Sequence, residues 1–161
     1  LYLLHIKNDA SLLDFGCGWG ILGISFYINK YCLSLGCVLS PGSIGATGYN
    51  VSFYRMEDRF HFFQGSADAV SGRFNLILAN LHASIHRELF DHYQRLLPLK
   101  GDLLVLSGFY DVQAAEVEKA LDQRGFRVLE RMQVHASAPA LTEECSDTWV
   151  GFGLKRVSGQ S

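Results

Sequence analysis

The chain has 161 residues, 48% of them apolar, and a net charge of −2 at pH 7. That length and composition suit one domain with a real core, so a single globular domain over residues 1–161 is expected. Lys and Arg (Lys7, Lys30, Arg55, Arg59, Arg73, Arg87, Arg95) are scattered rather than gathered into a stripe, which argues against direct binding of nucleic acid.

The first ten residues, LYLLHIKNDA, lack a basic start before a long apolar stretch, and no later run reaches the ~20 apolar residues of a membrane span. A soluble chain with no membrane partner is expected. It opens at Leu1 rather than Met, directly on apolar residues, and so reads as beginning partway through a longer protein. The four cysteines (Cys17, Cys32, Cys37, Cys145) show no CxxC pairing, which points to reduced thiols in a cytoplasm rather than to a zinc site or a disulfide framework.

From there, strand-length apolar runs alternate with stretches of helical period. Strands are predicted at 11–15, 37–39, 60–63, 74–79 and 102–107, and helices at 21–31, 43–54, 84–97 and 112–124, with Gly125 as the last helix's stop. Two further strand-like runs, 126–135 and 148–154, have no helix between them, so their connection must be hairpin-like. The intervening SAPALTEECSD, with Pro139 and several polar residues, reads as an exposed loop. The expected architecture is α/β, a mostly parallel seven-stranded sheet with an antiparallel C-terminal strand and helices on both faces.

The strongest local signal is LLDFGCGWGILG, residues 12–23, an apolar strand running into a glycine cluster and then a helix. Glycines let the backbone approach a ligand, and the helix start presents unpaired N–H groups. Gly18, Gly20 and Gly23 spell GxGxxG, the dinucleotide fingerprint, whereas Gly16, Gly18 and Gly20 spell GxGxG preceded by Asp14. A carboxylate there repels a pyrophosphate but attracts the amino group and sulfonium of S-adenosylmethionine. The bland alternative is that Asp14 and the glycines only shape the turn.

Other constellations say less. His82 and His86 lie at i and i+4, a spacing that suits metal ligands, but no nearby acid completes a motif, and no metal is expected. RFHFFQG (Phe60, Phe62, Phe63) reads as strand core, Glu143 and Glu144 as a solvated pair, and Trp19 either as a cover for the cofactor or as packing.

The sequence resembles the class I methyltransferases of ribosomal large-subunit protein eleven (PrmA) and their relatives. DFGCGWGILGI is similar to that family's first motif, FNLILANLHASIHRELF to its fourth strand with the Ala-Asn-Leu signature, LLVLSGFYDVQAAEVEKALDQRGFRV to its fifth strand and Ser-Gly turn, and WVGFGLKR to its last strand. The resemblance implies S-adenosylmethionine as cofactor and a protein or small-molecule amine as methyl acceptor. It puts Asp14, Gly16, Cys17, Gly18 and Gly20 around the methionine part and Gly65, Ser66 and Ala67 near the adenine. Asn80 falls at the C-terminal end of the fourth strand, where open α/β sheets hold ligands, and is the residue expected to orient the acceptor.

Two departures stand out. The family's ribose-binding acid should fall at position 38, which is Val38, and Ser40 is only a weak neutral substitute. The family's upstream Gly-Thr loop and its substrate-recognition domain have no counterpart here. Weak cofactor binding is therefore expected. The rival readings are a degenerate methyltransferase-fold binding module, motivated by Val38, and an NAD-type oxidoreductase, supported by GWGILG alone.

Overall fold

The computed structural model describes residues 10–30, 33–98, 100–135 and 148–157. In chain order the elements are β1 (Ser11–Phe15), α1 (Ile21–Lys30), β2 (Leu33–Val38), α2 (Pro41–Phe53), β3 (Phe60–Gln64), a 3-10 turn (Ala67–Ala69), β4 (Leu76–Asn80), α3 (Ala83–Leu96), β5 (Leu103–Tyr110), α4 (Asp111–Asp122), β6 (Phe126–His135) and β7 (Thr148–Arg156). The strands form one seven-stranded sheet in the order β3-β2-β1-β4-β5-β7-β6. Pairing is parallel along β3-β2-β1-β4, while β7 runs antiparallel to both β5 and β6. The expected α/β class with its antiparallel C-terminal strand is what the chain adopts.

The chain divides into two compact units, Leu1–Ala79 and Asn80–Ser161. In the first, β2 is longer than predicted because Ser34 and Gly36 interrupt its apolar run, yet both are buried. Gly36 has to be small: a Cβ there would lie 2.9 Å from Cys17 Sγ and 3.0 Å from the Phe60 ring. Leu39, assigned to the strand from sequence, lies beyond it and is exposed. α2 starts two residues earlier than predicted, with Pro41 in its first turn after Ser40, because proline has its helical φ preset and needs no hydrogen bond there. Cys17, Ile24, Val38, Val51, Met56 and Phe60 form one apolar cluster in this unit.

In the second unit, α4 ends at Asp122, and the turn closes through Gly125 at φ 78°, with its N–H donating to the Asp122 carbonyl. The hairpin-like relation of β6 and β7 holds over Phe126–Arg156 to His135–Thr148. β7, however, is inserted between β5 and β6 rather than lying at the margin. Its side chains are mostly buried, whereas residues 131–135 of the edge strand β6 are all exposed. A strand flanked on both sides suits the apolar run WVGFGL. Glu143, Glu144, Cys145 and the loop assigned to them lie outside the described residues.

Candidate functional site

The glycine loop follows β1 directly. Gly16, Gly18 and Gly20 have φ of 64°, 56° and 77°, a left-handed conformation that other residues adopt at a cost, so the GxGxG spacing is a backbone requirement. A Cβ on Gly18 would meet only the Gly16 carbonyl, at 3.8 Å, which leaves open space over the loop. Gly23 is needed for another reason: a Cβ there would sit 2.1 Å from Phe60 Cε2. Helix-to-strand packing thus accounts for the third glycine of the dinucleotide-like pattern without any ligand.

Asp14 is 1% exposed. Its Oδ2 accepts the Gly23 N–H at 3.0 Å, and its Oδ1 is buried with no hydrogen-bond partner. Burial pushes its pKa up to about 7, against the opposing effect of the Gly23 hydrogen bond. The carboxylate therefore braces the loop onto α1, and it does so through one oxygen only. Cys17 contributes backbone to the loop, its N–H donating to the Cys37 carbonyl at 3.1 Å, while its side chain belongs to the apolar cluster. Burial first, and then the nearby Asp14 charge, push the Cys17 thiol up to about 12, so it is no nucleophile near neutral pH.

Sequence reasoning missed the residues that hold the loop from α2. Thr47 Oγ1 lies 2.6 Å from the Gly18 carbonyl and 2.9 Å from that of Ser43, and Asn50 Nδ2 donates to the Trp19 carbonyl at 2.8 Å. Their i, i+3 spacing puts both on one face of α2, but only tertiary structure shows what that face meets. Trp19 itself is 63% exposed and is anchored by its backbone.

Position 38 departs further from the family pattern than its residue type alone implied. Val38 is 7% exposed and packs in the apolar cluster. Its carbonyl accepts the Gly65 N–H at 3.0 Å, which brings the start of the Gly65, Ser66, Ala67 segment to the end of β2. Ser66 precedes the 3-10 turn, its Oγ 3.4 Å from Asp68 Oδ2, and Ala67 is buried.

In the second unit, Asn80 is the exposed last residue of β4, and its Oδ1 accepts the Ser107 hydroxyl at 3.1 Å. Ser107 and Gly108 interrupt the β5–β7 register, and the Leu81 N–H donates to the Ser107 carbonyl at 2.9 Å. Gly108 has φ 95°, and a Cβ on it would lie 2.5 Å from the Leu81 carbonyl oxygen. His82 and His86 do not act as a pair. His82 is exposed ahead of α3 with Nδ1 3.1 Å from Ser84 Oγ, whereas His86 is buried with both ring nitrogens engaged. Among the described residues no group of three or more His, Cys, Asp or Glu is placed to hold a metal, and no helix is long and apolar enough to cross a membrane.

Comparison with known proteins bears on family and fold. Residues 3–136 match the family model described as ribosomal protein L11 methyltransferase (PrmA). The chain is 31% identical over 127 residues to the ribosomal protein L11 methyltransferase of Clostridium botulinum, covering 78% of this chain and 40% of that one. It is 33% identical over 116 residues to that of Actinobacillus succinogenes, covering 72% and 39%. It therefore spans about two fifths of the length of these curated relatives. Among solved structures, the ribosomal protein L11 methylase of Lactobacillus delbrueckii subsp. bulgaricus superposes with a TM-score of 0.80 at 22% identity, covering 98% of this chain and 75% of that one. A Pyrococcus horikoshii protein crystallised with MeSAdo shares the fold at a TM-score of 0.75 and 15% identity, covering 96% and 59%. With its matched segment running from before β1 to the end of β6, the chain belongs to the ribosomal protein L11 methyltransferase (PrmA) family.

Proposed function

We propose that this chain binds S-adenosylmethionine through its glycine loop and supports methyl transfer to an amine, with a protein as the acceptor class, in the cytoplasm. The observation that carries the reading is the buried Asp14 carboxylate with one oxygen unpartnered, at the base of a loop of three left-handed glycines. Such a group favours a nearby cation and disfavours a pyrophosphate. The fit is good on the amino-acid side of the cofactor and poor on the ribose side, where Val38 offers an apolar side chain in place of a carboxylate. The relatives are named for ribosomal protein L11, and that supports a protein acceptor.

When bound, S-adenosylmethionine supplies a methyl group on a positively charged sulfur. That chemistry would need an acceptor nitrogen with a free lone pair held in line with the methyl group. What the chain must provide is alignment. Thr47 and Asn50 fix the glycine loop by its carbonyls, and the Asn80 amide, already accepting the Ser107 hydroxyl, keeps a second lone pair on Oδ1 for the acceptor's N–H.

A second reading is favoured by Val38: a binding module that keeps the fold without turnover. Calorimetry on one sample with S-adenosylhomocysteine and with NAD tests the proposal. S-adenosylhomocysteine should bind, weakly, in preference to NAD. Equal or tighter NAD binding overturns the methyltransferase reading, and binding of neither favours the module.

A further inference from the structure

A histidine with no exposed surface inside a helix is expensive unless both ring nitrogens are satisfied. His86 on α3 is 0% exposed, with Nε2 2.9 Å from the Ser107 carbonyl and Nδ1 2.9 Å from the Tyr93 hydroxyl. A carbonyl only accepts, so Nε2 carries the proton, and Nδ1 accepts from the tyrosine O–H. Tyr93 is itself fully buried two turns along the same helix, and Phe109 packs edge-on against the imidazole at 5.6 Å between centroids. The ring is thus held on three sides.

What it holds is the bulge of β5. The Ser107 carbonyl receives both the His86 Nε2–H and the Leu81 N–H, while the Ser107 hydroxyl reaches Asn80 Oδ1. Gly108 packs its bare Cα against the Leu81 backbone, where no side chain fits. Tyr93, His86, Ser107 and Asn80 therefore form one chain of hydrogen bonds that starts in the core and ends at an exposed amide. Neighbouring surface residues have no such support: Ile85 and Arg87 on α3 are exposed and take no part in it.

We propose that His86, with Tyr93 behind it, is a positioning residue that locks the Ser107–Gly108 bulge and thereby fixes the orientation of the Asn80 amide toward the methyl acceptor. The acceptor half of this statement rests on the methyltransferase reading above. The locking half does not.

The test is nitrogen-15 NMR of the full chain, reading the Asn80 side-chain amide by its chemical shift and heteronuclear NOE. In the parent protein the amide should have the NOE of ordered structure. His86→Leu should drop it to that of a freely rotating surface amide and shift the Ser107 and Leu81 backbone amides, with the Gly16, Gly18 and Gly20 amides unmoved. His86→Gln, which can still donate to the Ser107 carbonyl, should restore most of the ordered signal. Val117→Ala, an apolar truncation in α4 of the same unit, controls for general loosening and should leave the Asn80 amide ordered. If His86→Leu does not fold, Tyr93→Phe serves instead, since it removes only the hydroxyl and should partly mobilise the same amide. An Asn80 amide that is mobile in the parent, unchanged in these variants, or equally disturbed by Val117→Ala overturns the proposal. None of these signals needs a bound cofactor or acceptor, so failure to bind S-adenosylhomocysteine would sink the methyltransferase reading and leave the locking result standing.

Discussion

The glycine loop after β1 and the turn after β4 solve the same problem in opposite ways. Each has to present backbone and a polar side chain at the C-terminal end of a strand, and each relies on a glycine with positive φ pressed against its neighbours. At the first, the buried polar group is left short: Asp14 has one hydrogen bond and one orphaned oxygen. At the second, the buried polar group is complete, because both nitrogens of His86 are used. An incomplete buried carboxylate is a standing cost that a cationic ligand would relieve, whereas a complete network rigidifies without needing one. On the proposed reading, the first place would meet ligand charge and the second supplies geometric support.

The comparison breaks most sharply at the glycines. Gly108→Ala would force a methyl group against the Leu81 backbone at a left-handed φ, and it should cost on the order of 3 kcal/mol or more, read as a large drop in Tm or loss of the fold. Gly23→Ala meets the Phe60 ring rather than backbone. A side chain can shift, so the overpacking cost should be smaller, about 1–3 kcal/mol. Equal tolerance at both sites would remove the distinction between a turn fixed by backbone and a loop fixed by side chains.

Next in size is Val38→Asp. On sequence alone this change restores the family's ribose-binding acid, but Val38 sits in the apolar cluster with Cys17, Ile24, Val51, Met56 and Phe60. An unpaired carboxylate there should destabilise the protein by about 2 kcal/mol or more, measured by urea unfolding. If Tm is unchanged and S-adenosylhomocysteine binds more tightly, the side chain has turned out of the cluster and position 38 is a ribose site after all.

The two buried titratable groups should also give opposite pH dependences. Asp14 has its pKa raised by burial from 3.8 to about 7, so the folded state holds its proton more tightly and the stability this contributes is lost as pH rises through about 7. Burial, with a smaller contribution from His82, lowers the pKa of His86 from 6.5, although the carbonyls of Ser107 and Leu81 oppose the shift. Its contribution is present above 6.5 and is lost as pH falls below that value. Unfolding free energies measured from pH 4 to 8 should show Asp14→Asn gaining on the parent as pH rises, and His86→Leu gaining on it as pH falls. Parallel profiles would contradict both assignments. The smallest effect should come from the exposed Arg87–Glu116 pair at 3.4 Å, where Arg87→Ala should change stability by no more than about 0.5 kcal/mol.

The sequence by itself determined the alternation of strands and helices, the hairpin of β6 and β7, the glycine loop and the family, because periodicity, φ-demanding glycines and motif spacing are local properties of the chain. It located Asn80 at the end of β4 for the same reason. Tertiary structure alone decided the rest. The insertion of β7 between β5 and β6 follows from which strand buries both faces, and the N-terminal half of β2 from which small residues a neighbouring ring requires. The burial of Val38, the grip of Thr47 and Asn50 on the loop, and the path from Tyr93 through His86 to Asn80 join residues between 7 and 31 positions apart or pack them from several elements. No local pattern encodes such pairings, since a hydroxyl or an imidazole acquires its role only from the carbonyl that folding brings to it.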